Sequence, residues 1–218
     1  MIEINKIYFV RHGESEANAA KIFTHDPNAN YKLTKKGIEQ AKFTAGFFKE
    51  IDIDEIYSSQ ILRAFQTASY IAELKNKTVS KIEYFNELDL GYLEGKPIEN
   101  EYLRFYKEIS MQWQEGKIEL PFKKGESLKS LAERMKKGIM KIIDLDKDLN
   151  ILVAAHGGII AGSLPIICDN INYIDFFKNN NMHVENCSVT TCEIKRSKNK
   201  IVIELIDWNN ISHLLQLV

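Results

Sequence analysis

Lys6-Ile7-Tyr8-Phe9-Val10-Arg11-His12-Gly13-Glu14 is the stretch from which the architecture of this chain follows. Four apolar residues in a row, Ile7 to Val10, form a short run of the kind that makes a strand buried on both faces. The run stops at a cation, an imidazole, a glycine and an acid. Glycine lets the backbone turn tightly and exposes amide N–H groups before the next element. In open α/β sheets ligands lie beyond the carboxyl ends of the strands, so chemistry is expected here. The pattern recurs where the apolar run Ile151 to Ala155 is followed by His156-Gly157-Gly158. One histidine after a strand is ordinarily a hydrogen-bonded structural residue; two His-Gly pairs at two strand ends speak for anion binding.

Working outward, further strand-type runs lie at Glu55 to Ser58, Lys81 to Phe85, Val189 to Lys195 and Ile201 to Ile206. Helical periods separate them. Ile38, Ala41, Ala45 and Phe48 recur at steps of three and four between Lys35 and Ile51, behind Thr34 as a cap. Leu128, Leu131, Met135, Ile139 and Ile142 do the same, with Ser130 and Glu133 at capping-box spacing. The alternation predicts an α/β fold: one domain over residues 1–218, a three-layer sandwich with a mostly parallel central sheet flanked by helices. The last two strands, joined by Ser197-Lys198-Asn199, form a candidate antiparallel hairpin at the edge. Residues 97–124, rich in aromatic and charged side chains, read as a lid or insertion whose Tyr102, Phe105, Tyr106 and Trp113 serve packing.

The 218 residues are 44% hydrophobic and 27% charged, with 11 Gly and 4 Pro, which excludes collagen, low-complexity and extended disordered chains. Twenty-nine Lys and Arg against 30 Asp and Glu leave a formal charge of −1, so no nucleic acid or acidic membrane is expected as partner. An anion must therefore be held by a local cluster. Leu149 to Cys168 is uncharged and long enough to span a bilayer, but it reads better as a strand, the His-Gly-Gly punctuation, and a helix from Ile159 that adjusts at Pro165. Cys168, Cys187 and Cys192 cannot pair completely and no signal peptide precedes them, which indicates the cytoplasm. His183, Cys187 and Cys192 fall short of a zinc site, and neither a metal nor another cofactor is expected. No pattern specifies an oligomer.

Two more strand ends carry functional residue types. Tyr57-Ser58-Ser59 leads into a helix whose first turn holds Arg63, and Phe85 is followed by Asn86-Glu87-Leu88-Asp89. Alone, Arg63 would be a solvated helix charge and Glu87 a loop carboxylate. If all four ends converge, the pocket holds two histidines, two arginines and a carboxylate: a phosphate clamp with an acid beside it.

Residues 9–18, from Phe9 to Asn18, resemble the signature of the histidine phosphatase superfamily in its phosphoglycerate mutase-like branch. The likeness continues through Leu33-Thr34 with Gly37, Gln40 and Ala41; Tyr57-Ser58-Ser59 with Arg63, Gln66, Thr67 and Ala68; Asn86 to Gly91 with Glu94-Gly95; Gly125 to Leu128; and His156-Gly157-Gly158. The resemblance implies that His12 is the nucleophile and becomes phosphohistidine, and that Arg11, Arg63 and His156 neutralise the phosphoryl oxygens. Asn18 and the Gly157 amide would add hydrogen bonds, Thr24 a further substrate contact, and Glu87 would protonate the leaving oxygen and then help deprotonate water. Cationic side chains can replace a metal in such a transfer, so the expected enzyme is a metal-independent phosphatase of a small phosphorylated metabolite.

Other readings compete. Gly13-Glu14-Ser15-Glu16-Ala17 nearly matches a serine-hydrolase elbow, with His213 as partner, but only one strand precedes it. Gly91 to Lys96 lacks the spacing of a Walker loop. A non-catalytic phosphate-binding module would not need both His12 and Glu87. A cofactor-dependent phosphoglycerate mutase usually has Trp at the position of Ala17, an Arg-His-Tyr continuation in place of Leu88-Asp89-Leu90, and paired arginines where residues 97–124 have only Arg104. Those departures favour a phosphatase, with Asp89 expected to add negative charge where a substrate carboxylate would lie.

Overall fold

The computed structural model describes residues 3–180, 182–197 and 200–217. Strands β1 (Ile4–Arg11), β2 (Glu55–Ser58), β3 (Val79–Lys81), β4 (Leu149–Ala155), β5 (Val189–Ser197) and β6 (Lys200–Asn210) form one sheet in the order β3-β2-β4-β1-β5-β6. The β3–β2, β2–β4 and β4–β1 pairings are parallel, and β1–β5 and β5–β6 are antiparallel. The antiparallel portion therefore begins one strand earlier than a terminal hairpin alone would give. Lys198 and Asn199 of the expected turn lie outside the described residues.

Successive strand side chains point to opposite faces, and both faces are covered. On one face Ile7, Phe9, Ile151, Val153 and Ala155 pack with helices α5 (Leu128–Ile142) and α6 (Gly157–Ile167). On the other, Val10, Leu152, Ala154 and Ile56 pack with α2 (Lys35–Phe47) and α3 (Leu62–Lys75). This makes the three layers. Leu128, Leu131, Met135, Ile139 and Ile142 are all buried, as their spacing requires of a helix facing a core.

Four boundaries differ from the expectation. The run Lys81 to Phe85 is not a strand: β3 ends at Lys81, the Ile82 amide bonds to Ser58 O at 2.8 Å, and Glu83–Phe85 coils into a 3-10 turn. Burying Phe85 against Phe9 drives that turn, and Gly138 of α5 admits it, since a Cβ there would stand 2.8 Å from Phe85 Cε1. The α5 capping box is Ser127 with Ser130 rather than Ser130 with Glu133. Helix α2 ends at Phe47, because Phe48 drops into the sheet face beneath Tyr8 at a ring separation of 5.4 Å. Helix α6 starts at Gly157, two residues ahead of Ile159, and carries Pro165 within it.

Residues 97–124 are tied down at both ends. Pro97 bridges Ile22, helix α4 (Asn100–Gln114) follows, and fully buried Trp113 donates Nε1–H to Leu120 O at 2.7 Å. Tyr106 stacks between Phe23 and Phe122 at 5.4 and 5.6 Å. The uncharged stretch from Leu149 divides between β4 and α6, and no described helix is long and apolar enough to cross a membrane.

Candidate active site

The ends of β1, β2 and β4 meet, and the loop that follows the Glu83–Phe85 turn joins them with Glu87. The His12 amide donates to Ala155 O at 3.0 Å and the Ser59 amide to Ala154 O at 3.0 Å, which pins the exits of β1 and β2 to the exit of β4. The loop after β1 is gripped from below: the Gly13 amide donates to Thr67 Oγ1 at 3.1 Å, and the Glu14 amide to Gln40 Oε1 at 2.8 Å. Gly13 must be glycine, for a Cβ there would lie 2.5 Å from Gly37 O at the start of α2. The motif residues Gly37, Gln40 and Thr67 thus act by shaping this loop.

His12, Arg63 and His156 are 2%, 3% and 0% exposed. His12 Nδ1 donates to its neighbour's carbonyl, Gly13 O, at 2.7 Å, leaving the lone pair on Nε2, where Arg63 Nε donates at 2.9 Å. Arg63 also donates from Nη2 to Thr24 O at 3.1 Å, and Arg11 donates from Nη1 to Val184 O. His156 lies edge-on to His12, ring centroids 5.1 Å apart, with Nε2 2.7 Å from Ser59 Oγ. Arg11 Nε, Arg63 Nη1 and His156 Nδ1 are buried with no protein partner among the described residues. A buried donor without an acceptor is costly, so the two guanidinium nitrogens favour an anion or water beside them.

Glu87 closes the N-terminus of α6. Its Oε1 accepts from the amides of Leu88 (2.8 Å) and Ile159 (2.9 Å), and its Oε2 from Gly158 (3.2 Å). The two glycines now have a geometric reason. A Cβ at Gly157 would press on Arg11 Nε at 3.3 Å, and one at Gly158 would strike Glu87 Oε1 at 2.6 Å. Glu87 is held by a residue that no sequence motif marks. Arg134 of α5 donates to the carbonyls of Tyr84, Asn86 and Glu87 at 2.9, 2.9 and 3.2 Å, and grips Glu126 at 2.9 and 2.8 Å.

Burial, then the charge of Arg63, holds the His12 and His156 imidazoles well below the usual histidine range, so both are neutral at neutral pH. Burial lowers Arg63 to about 10 and also lowers Arg11, against the opposing pull of Glu87, and both stay protonated at neutral pH. Unfolded histidines take up protons below about pH 6.5, whereas these two refuse them, so stability is full above that pH and is lost as pH falls. The pair is expected to cost about 2 kcal/mol between pH 6.5 and 5.5. Urea unfolding at both pH values would show it, and the His12→Gln/His156→Gln variant should lose most of that dependence; an unchanged dependence refutes the assignment.

A cavity of about 330 Å³ opens over this centre, walled by Arg11, His12, Arg63, Glu87 and Gly157, with Asn18 and Thr24. His156 stands behind His12 rather than on the wall. Asn18 Oδ1 accepts from the Ser15 amide at 3.1 Å, and Thr24 turns its hydroxyl to Glu94 Oε1 at 2.9 Å, so it is the Thr24 carbonyl that meets Arg63. Asp89 is not on the wall as expected: it turns to His25 Nε2 at 2.9 Å, and Leu88 and Leu90 line the cavity instead. Tyr106, which the sequence assigned to packing alone, also lines it, and burial and Glu87 push its phenol up. Asn186 donates to His12 O at 2.8 Å. The serine-hydrolase alternative fails here: Ser15 caps helix α1 (Glu16–Ala19), while His213 Nε2 lies 3.2 Å from Thr44 Oγ1 and 3.1 Å from Cys187 O. Among the described residues no group of three or more His, Cys, Asp and Glu could hold a metal ion.

An α/β sheet that gathers at one edge half-buried Arg11, buried Arg63, two neutral histidines and a carboxylate defines an enzyme acting on phosphate esters. The chain belongs to the histidine phosphatase superfamily (branch 1), whose sequence profile matches residues 7–207, and is a phosphoric monoester hydrolase. It is 33% identical over 153 residues to phosphoserine phosphatase 1 of Hydrogenobacter thermophilus, covering 69% of this chain and 70% of that one. It is 44% identical over 87 residues to the 2,3-bisphosphoglycerate-dependent phosphoglycerate mutase of Thermoplasma acidophilum, covering 40% and 43%. The crystal structure of phosphoserine phosphatase from Entamoeba histolytica in complex with 3-phosphoglyceric acid superposes with a TM-score of 0.77 at 26% identity, covering 97% of this chain and 100% of that one.

Proposed function

We propose that the chain is a metal-independent phosphatase that hydrolyses a small phosphorylated metabolite through phosphohistidine at His12. The observation that carries this reading is the pair of buried, unpartnered guanidinium nitrogens, Arg11 Nε and Arg63 Nη1, on the two arginines that wall the cavity with His12, whose Nε2 carries the lone pair. A bound phosphoryl group takes Arg63 onto its oxygens and frees Nε2 to attack phosphorus. The Nε2–P bond forms, the ester P–O bond breaks, and Glu87 gives its proton to the leaving oxygen. Oε2 of Glu87 holds one amide where Oε1 holds two, so it is the oxygen free to carry that proton. Water then attacks phosphorus, its proton passes to Glu87, and the Nε2–P bond breaks. Asn18, the Gly157 amide and Thr24, its hydroxyl turned from Glu94, complete the phosphate contacts, and residues 97–124 act as the lid. Three free, buried cysteines are in keeping with the cytoplasm.

Hydrolysis rather than isomerisation is supported by Arg104, the only arginine of residues 97–124, which pairs with Glu108 and is 82% exposed on the side chain. It offers no second anion site. Phosphate release from an ester is expected to survive EDTA and to be inhibited by vanadate, which mimics five-coordinate phosphorus; loss on chelation with recovery on adding Mg²⁺ or Zn²⁺ overturns metal independence. With 3-phosphoglycerate and catalytic 2,3-bisphosphoglycerate, phosphate should outrun 2-phosphoglycerate, and the reverse would make the chain a mutase.

The Arg134 brace yields a further expectation. Arg134→Ala should lower kcat by roughly ten- to a hundredfold by letting Glu87 drift, while KM moves little. The loss should be smaller with nitrophenyl phosphate than with alkyl esters, and Arg134→Lys should restore little of it, because a single ammonium cannot span three carbonyls and a carboxylate. Equal losses on both substrate types would count against positioning of the acid.

A further inference from the structure

Beyond the phosphate clamp the cavity changes character. Ile22 and Phe23, Leu88 and Leu90 of the acid loop, and Ile98 and Leu103 of the segment around α4 form an apolar wall. The cationic side chains on the described wall are Arg11 and Arg63, both committed to the clamp. Among the cations nearby, Lys96 lies over the rings of Tyr92 and Tyr102, Lys123 over Tyr92, and His25 bridges Asp89 and Glu94, while Lys21 is exposed. His183, at the wall, pairs with Glu185 at 2.9 Å.

Apart from Tyr106 and His183, a substrate carboxylate or ammonium in this part of the cavity would meet leucines, isoleucines and other apolar side chains. Burying a charge without a partner is strongly unfavourable, whereas an alkyl or aryl group gains by the same burial. We infer that the natural substrate is a phosphate monoester of a neutral, apolar alcohol, and that Leu103 and its neighbours form the subsite for its carbon skeleton. This rests on the phosphatase reading, and it departs from phosphoserine, the substrate named for the related enzymes. About 330 Å³ is at the small end for a ligand pocket, which suits a single ring or a short chain beside the phosphate.

A homologous series separates apolar burial from leaving-group chemistry, because ethyl, butyl and hexyl phosphate release alcohols of nearly equal acidity. The purified protein is expected to show kcat/KM rising roughly fourfold per methylene until the cavity is filled. Hexyl phosphate should exceed phosphoserine by at least about tenfold. In Leu103→Ala the ratio of hexyl to ethyl phosphate turnover should fall roughly fivefold or more. That ratio is taken on one sample, so partial unfolding cannot produce it. A flat series, phosphoserine turned over faster than hexyl phosphate, or an unchanged ratio in Leu103→Ala overturns the apolar subsite; if phosphate release still depends on His12, the phosphatase reading stands. No hydrolysis of any ester overturns both.

Discussion

His12→Ala is expected to lower turnover by roughly 10⁴-fold or more and to abolish covalent labelling from a phosphorylated substrate. The wild type should carry acid-labile, base-stable label, the behaviour of a P–N bond. The size of the effect follows from the geometry: Gly13 O fixes the ring through Nδ1, burial keeps it neutral, and Arg63 Nε meets its Nε2. Ser15, the nearest hydroxyl in sequence, is occupied as a helix cap with Asn18. Label on Ser15, or substantial turnover by His12→Ala, would refute the mechanism.

Glu87→Gln should cost about a hundred- to ten-thousandfold on esters with poor leaving groups, and much less on nitrophenyl phosphate, whose leaving oxygen needs no proton. The substitution is nearly isosteric, but a glutamine nitrogen cannot accept from the α6 amides, so part of the loss will reflect a disturbed Gly158–Ile159 cradle. The leaving-group contrast distinguishes the two contributions. Equal losses on both substrates, with dephosphorylation shown not to limit the rate, would remove Glu87 from the acid role.

What could be read in the sequence was whatever repeats locally. The apolar runs, the His-Gly pairs that end two of them and the 3.6-residue period of α5 each need only neighbouring residues to be seen, and the runs located five of the sheet's six strands. Phe85 misled because its apolar run continues the strand pattern, while its burial against Phe9 and α5 is a tertiary gain that coils the backbone instead. Arg134 carries no local mark that sets it apart from Lys136 or Lys137 on the same helix; it matters because that coil delivers three carbonyls to it. Asp89 left the cavity for a partner that sequence neighbours do not reveal, His25, 64 residues earlier in the chain. Tyr106 both packs and lines the pocket, a double use that residue type alone does not announce.

The place of β1 in the sheet also sets a timetable for the molecule. Its partners on either side, β4 and β5, come from well over a hundred positions further along the chain, so neither edge of the strand bearing Arg11 can be satisfied until late in synthesis. Contacts so distant in sequence carry a large loop-closure cost and slow the search for the native state. Until β5 arrives, β1 presents Ile7 to Val10 on an open strand edge, the surface through which partly made chains adhere to one another. The same long-range closure guards the chemistry, because Arg11 and His12 are tied to Cys187 and β5 only after more than 170 further residues have been made.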